Sequence, residues 1–115
     1  MNTISITDLD SKIRSGADFV LLEALPPRYY DQKHLPGARN MPHDAVDGLA
    51  PDLIGNRQRD VVIYCASPTC KNSHIAARRL ETLGYQNVRV FEGGKSAWEE
   101  AGLPFEISAV PAVAV

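Results

Sequence analysis

The stretch "RDVVIYC", residues 59–65, sets Val61, Val62, Ile63 and Tyr64 side by side with no polar residue between them. A strand with one face in water alternates apolar and polar side chains. An unbroken run of strand length needs cover on both faces, as in the interior of a parallel sheet. "DFVLLEA", residues 18–24, has the same character, and "NVRVFEG", residues 87–93, reads as a third strand. Helical stretches separate and follow these runs. Strands alternating with helices at this spacing predict one small α/β domain, a mostly parallel sheet flanked by helices.

The connecting segments are readable in the same way. "SITDLDSKIRSG", residues 5–16, predicts an opening helix with Thr7 as N-cap, Asp8 and Asp10 in its first turn and Gly16 as its stop. Pro26 and Pro27 end the first long strand, and Pro27 can open a short helix through "RYYDQ". Pro36-Gly37 marks a turn before a very short strand around residues 38–41. "HDAVDGLAPDLIG", residues 43–55, predicts one or two helical turns broken at Gly48 and Pro51. "NSHIAARRLETLGY", residues 72–85, is the best helix, with Ile75, Ala76, Leu80 and Leu83 on its buried face and Gly84 as its stop. "KSAWEEAG" closes the fold and ends at Gly102 and Pro104, with Trp98 expected in the core. The domain is expected to run over residues 1–107, with 108–115 a loosely held tail.

Charge and hydropathy exclude some classes of function. A net charge of -2 and a pI near 5.9 leave no general basic footprint for nucleic acid. No apolar run reaches the roughly 20 residues that span a bilayer, so no membrane association is expected. The opening residues lack a basic stretch followed by an apolar one, so no secretory leader is expected and a reducing cytoplasmic setting is. In that setting, two close cysteines are more often catalytic, redox-active or metal-binding than permanently bridged.

Both cysteines fall in "CASPTCKNS", residues 65–73, between the strand and the best helix. Ligands of open parallel sheets bind beyond the carboxyl ends of the strands, and Cys65 lies at such an end. The helix beginning near Asn72 or Ser73 turns its free amides and positive dipole end toward the loop. That arrangement favours a thiolate and lowers its pKa. Lys71 adds a cation and His74 a hydrogen-bond donor. Zinc on Cys65, Cys70 and His74 lacks a fourth protein ligand, with His34 and His43 distant in sequence. A structural disulfide suits a reducing compartment poorly. A phosphatase loop of C-x5-R type meets Lys71 where arginine is needed, and lysine lacks the planar fork that grips phosphate. A persulfide-forming cysteine needs only a nucleophilic thiol and a ring of amides.

Three stretches, in order, are similar to signatures of the single-domain rhodaneses, a family of sulfurtransferases. They are "LLEALPPRYYDQKHLPGARNMP", "VVIYC" with its loop and helix, and "VFEGGKSAWEEAGLPFE"; together the resemblance spans residues 4–106. It implies a three-layer α/β fold, no cofactor and no metal. It implies a small anionic sulfur donor such as thiosulfate, a thiol or cyanide acceptor, and a sulfur-relay protein as partner. By the same resemblance Cys65 is the nucleophile, attacking the donor's sulfane sulfur and holding it as a persulfide. Ala66, Ser67, Pro68, Thr69, Lys71, Asn72 and Ser73 form the substrate-binding loop, whose amides steady the charged sulfur. Cys70 either resolves the Cys65 persulfide into an internal disulfide or is itself the nucleophile.

Departures from the family pattern are specific. Glu23 and Leu25 stand where the family has the aspartate and arginine of Asp-Val-Arg, and Lys33 where it has glycine. The active loop is two residues longer than the family's Cys-x-x-Gly-x-Arg-Ser if Ser73 matches the family serine, and it has no arginine. That absence leaves room for a non-enzymatic redox- or sulfur-sensing module. His34 is expected to order its turn, Glu23 either to face the site or to pair with a base such as Arg28, and Arg78 and Arg79 to form a solvated helix face. The hydroxyls of Ser67, Thr69 and Ser73 either meet the substrate or satisfy nearby backbone.

Overall fold

The computed structural model describes residues 2–107, so the expected tail at 108–115 lies outside the described residues. Five strands form one sheet in the order β1-β5-β4-β2-β3. They are β1 (Asn2–Thr3), β2 (Val20–Glu23), β3 (Arg39–Asn40), β4 (Asp60–Tyr64) and β5 (Asn87–Phe91). Every pairing between them is parallel. The continuous apolar runs occupy the interior of the sheet, as their lack of alternation requires. β4 is central, paired to β2 from Val20↔Val61 to Glu23↔Tyr64 and to β5 from Asp60↔Asn87 to Tyr64↔Phe91. β1 is a two-residue edge strand with both residues exposed, too short and polar to carry a sequence signal.

Helices cover both faces, giving the three layers. On one side Val61, Ile63, Leu22 and Val90 pack with residues of α3 (Val46–Leu53) and α4 (Asn72–Thr82), among them Val46, Ala50, Ala76, Ala77 and Leu80. On the other, Leu21, Val62, Tyr64 and Phe91 pack with Leu9 of α1 (Ile6–Ser15) and Trp98 of α5 (Gly94–Glu100), and Tyr30 of α2 (Pro27–Gln32) borders this second core. Trp98 is fully buried and its indole N–H donates to the Pro104 carbonyl at 2.8 Å.

Several local expectations change. Ser5, not Thr7, caps α1, its hydroxyl accepting from the Asp8 amide at 3.1 Å. α3 runs unbroken through Gly48 and Pro51. An interior proline costs about 3 kcal/mol or more, but burial of Val46 and Ala50 pins this short helix against the core. In α4 the buried stripe is Ser73, Ala76, Ala77 and Leu80, so Ile75 is rotated outward and 48% exposed. That rotation brings the small Ser73 side chain beneath the cysteine loop.

Candidate active site

Cys65 follows the last residue of β4 and is 2% exposed. Its sulfur is 3.3 Å from the Cys70 carbonyl and 3.3 Å from the Ser73 hydroxyl. Cys70 is half-buried, and both cysteines are free thiols. The loop folds back through a turn in which the Cys70 amide donates to the Ser67 carbonyl at 3.1 Å, with Pro68 inside it. Residues 66–71 therefore close over the thiol, and α4 begins immediately after Lys71.

A second element, unassigned from the residues, holds the loop from below. At the start of α5 the Lys95 amide donates to the Cys65 carbonyl at 3.0 Å and the Ser96 amide to the Ala66 carbonyl at 2.9 Å. Gly94 makes this approach possible. It has φ +64, and a Cβ there would lie 2.5 Å from the Cys65 carbonyl oxygen and 2.8 Å from Ser67 N. The double glycine after the third strand was the available signal.

Beneath the loop, Glu23 is fully buried. Its Oε1 accepts from the Tyr64 hydroxyl at 2.7 Å, and that hydroxyl accepts from the Leu35 amide at 3.1 Å. The Lys95 ammonium lies 3.0 Å from Oε2 as an ion pair without hydrogen-bond alignment, and donates to the Tyr29 carbonyl at 2.9 Å. Desolvation raises the Glu23 carboxyl above its ordinary value, against the opposing pull of Tyr64 and Lys95. Arg28 is not the partner; it turns to the Tyr29 hydroxyl at 3.1 Å.

The expected thiolate-favouring environment is also corrected. Burial pushes the Cys65 thiol up, and a hydrogen bond with Cys70 adds to this, while the Ser73 hydroxyl and amide pull it down without prevailing. A nearly solvent-free sulfur loses more hydration as an anion than two donors restore.

The loop residues expected to bind substrate divide into groups. Cys65, Cys70 and Ser73 converge at one point. Ser67 and Thr69 share a hydrogen bond at 3.1 Å, so their hydroxyls satisfy each other. Ala66 is exposed and Asn72 is the first residue of α4. Pro68 and Lys71 join His74, Ile75, Arg78 and Glu92 around an open depression of about 460 Å³ beside the loop. His74 pairs with Glu92 at 3.5 Å. Arg78 and Arg79 are both exposed, as a solvated helix face requires, and Arg79 also grips Asp47 through two hydrogen bonds. No cluster of three or more His, Cys, Asp or Glu residues able to hold a metal ion occurs among the described residues. His34 is structural: it stacks on Tyr30 at 3.9 Å, its Nδ1 is 2.9 Å from the Tyr30 carbonyl, and its backbone bridges to Glu106.

A buried thiol at the carboxyl end of the middle strand of a parallel sheet, looped over and followed by a helix, defines a class. Residues 5–101 match the family model of the rhodanese-like domain, and the chain belongs to that family. It is 29% identical over 101 residues to the adenylyltransferase and sulfurtransferase UBA4 of Candida albicans, covering 84% of this chain and 23% of that protein. It is 30% identical over 93 residues to the HTH-type transcriptional regulator Rv0324 of Mycobacterium tuberculosis, covering 81% of this chain and 40% of that one. The chain thus spans less than half the length of either relative. The rhodanese-like domain of the Alr3790 protein from Anabaena superposes with a TM-score of 0.80 at 28% identity, covering 100% of this chain and 88% of that one. The thiosulfate sulfurtransferase of Pseudomonas aeruginosa superposes with a TM-score of 0.83 at 22% identity, covering 93% and 20%, a likeness of fold. No helix among the described residues is long and apolar enough to cross a membrane.

Proposed function

We propose that this domain is a sulfurtransferase that carries sulfane sulfur on Cys65. The observation that supports this best is the placement of its sulfur, enclosed by residues 66–71 and 3.3 Å from the Ser73 hydroxyl at the first turn of α4. In the loading step the Cys65 thiolate attacks the outer sulfur of thiosulfate. The S–S bond of the donor breaks, sulfite leaves with the electron pair, and Cys65 keeps the sulfur as a persulfide. A second thiolate or cyanide then removes that sulfur and regenerates Cys65, giving ping-pong kinetics. Donor and acceptor are a small anion and a thiol, and a sulfur-relay protein is a candidate partner. Because the resting thiol is pushed upward, loading by thiosulfate is slow at neutral pH and speeds with alkali.

The test is intact mass after incubation with thiosulfate or inorganic polysulfide. A gain of about 32 Da that disappears in Cys65→Ser supports the reading. No gain with any donor rejects it.

A sensing role is the second reading, favoured by the missing loop arginine and the similarity to part of a transcriptional regulator. Repeated turnover with a thiol acceptor distinguishes transfer from a single stoichiometric modification.

A further inference from the structure

Cys70 is the second thiol of the loop, and its backbone lies against the Cys65 sulfur. The Cys65 sulfur lies 3.3 Å from the Cys70 carbonyl, which seats residue 70 directly against that sulfur. The turn hydrogen bond from the Cys70 amide to Ser67 fixes that approach. The exposures differ in a useful way. Cys65 is 2% exposed, so an external acceptor must first open the loop, whereas Cys70 is already inside and half-buried. A nucleophile held beside its target has an effective concentration that free thiols do not match.

From this geometry we infer that the domain discharges its persulfide internally, with Cys70 attacking Cys65 and releasing inorganic sulfide. The inference rests on the persulfide reading above and adds a different product. Written out, the deprotonated persulfide Cys65–S–S⁻ and the Cys70 thiol give the Cys65–Cys70 disulfide and HS⁻. The bond formed joins the two Sγ atoms, and the bond broken is the persulfide S–S bond. The Cys70 proton and the electron pair of that bond leave together on sulfide. Donor sulfur is thereby reduced at the expense of the two thiols. An external thiol or dithiol then reduces the disulfide by exchange and resets the site. The longer loop has a direct use here: it carries the second thiol.

Three proteins, wild type, Cys70→Ser and Cys70→Ala, are treated with thiosulfate or polysulfide without oxygen and followed by intact mass and sulfide assay. Wild type is expected to finish about 2 Da below its reduced mass with about one sulfide released per chain, and dithiothreitol to restore it. Both Cys70 variants are expected to stop at a gain of about 32 Da and to release at least tenfold less sulfide. Wild type that keeps the added sulfur as the variants do overturns the inference while leaving the persulfide reading intact. So does a disulfide that forms without donor, or sulfide release undiminished in both variants. Absence of both the adduct in the variants and the disulfide in wild type rejects the persulfide reading and the inference together.

Discussion

The Lys95 ammonium sits 3.0 Å from the Glu23 carboxylate, which has no exposure, and the same lysine donates its amide to the Cys65 carbonyl. One residue therefore couples a buried charge to the floor of the cysteine loop. Lys95→Met leaves that carboxylate without its cation, which costs about 3–5 kcal/mol near neutrality. Glu23 already has a folded-state value above its ordinary 4.5, so its contribution to stability falls as pH rises through that window. Loss of Lys95 raises the folded value further. The deficit of the variant against wild type should therefore grow as pH rises above 4.5 and shrink below it, where the carboxyl is protonated in both states. Urea denaturation of both proteins near pH 4 and near pH 7 measures this; an equal deficit at the two pH values would show that charge is not the cause.

Gly94→Ala should be destabilising and should also reach the thiol. The new methyl meets the backbone of Cys65, Ala66 and Ser67 at 2.5–2.8 Å, and φ +64 is a strained conformation for alanine. Overpacking of this kind costs about 1–3 kcal/mol. Thermal melting should show the loss, and the rate of Cys65 alkylation should change because the loop must move off α5.

Ser73→Ala removes the hydroxyl 3.3 Å from the Cys65 sulfur, one of the groups that pull its thiol down. The thiol should rise further, moving the pH profile of iodoacetamide modification toward alkali. At a fixed pH below the midpoint the rate should drop about two- to tenfold, the equivalent of one hydrogen bond of about 0.5–1.5 kcal/mol. An unmoved profile would assign Ser73 to packing alone.

Lys71 and Arg78 line the depression beside the loop with no ion-pair partner among the described residues. Reversing both charges, Lys71→Glu with Arg78→Glu, should slow loading by thiosulfate about three- to tenfold at low ionic strength through lost attraction. The gap should close toward 0.5 M salt, roughly where screening shortens to a few ångströms. A gap that ignores salt would point to altered loop structure instead of charge.

Much of this was readable from residues alone because the signals are local. Apolar runs without alternation placed β2, β4 and β5, Gly16 and Pro27 placed helix ends, and the strand-to-helix step at Cys65 marked the candidate site. The misses are tertiary. Proline at 51 forbids a long free helix, but a short one held by Val46 and Ala50 survives it. Ile75 carries a core side chain type, yet the small residues of α4 are the ones that fit against the sheet.

The order of residues by itself determined that Cys65 stands at a strand end, with Cys70 and Ser73 following in one loop and helix, since strand length and helix start are set by neighbours in sequence. Only the tertiary structure decided the state of that thiol. Burial to 2% exposure raises it against the donors of Ser73, and the contact with Cys70 is made by a turn closing through Ser67. The partner of Glu23 was likewise a matter of fold, because Lys95 is distant in sequence and meets it only when α5 packs under β4 and β2. A cysteine five positions along the chain came to lie with its carbonyl 3.3 Å from the first cysteine's sulfur.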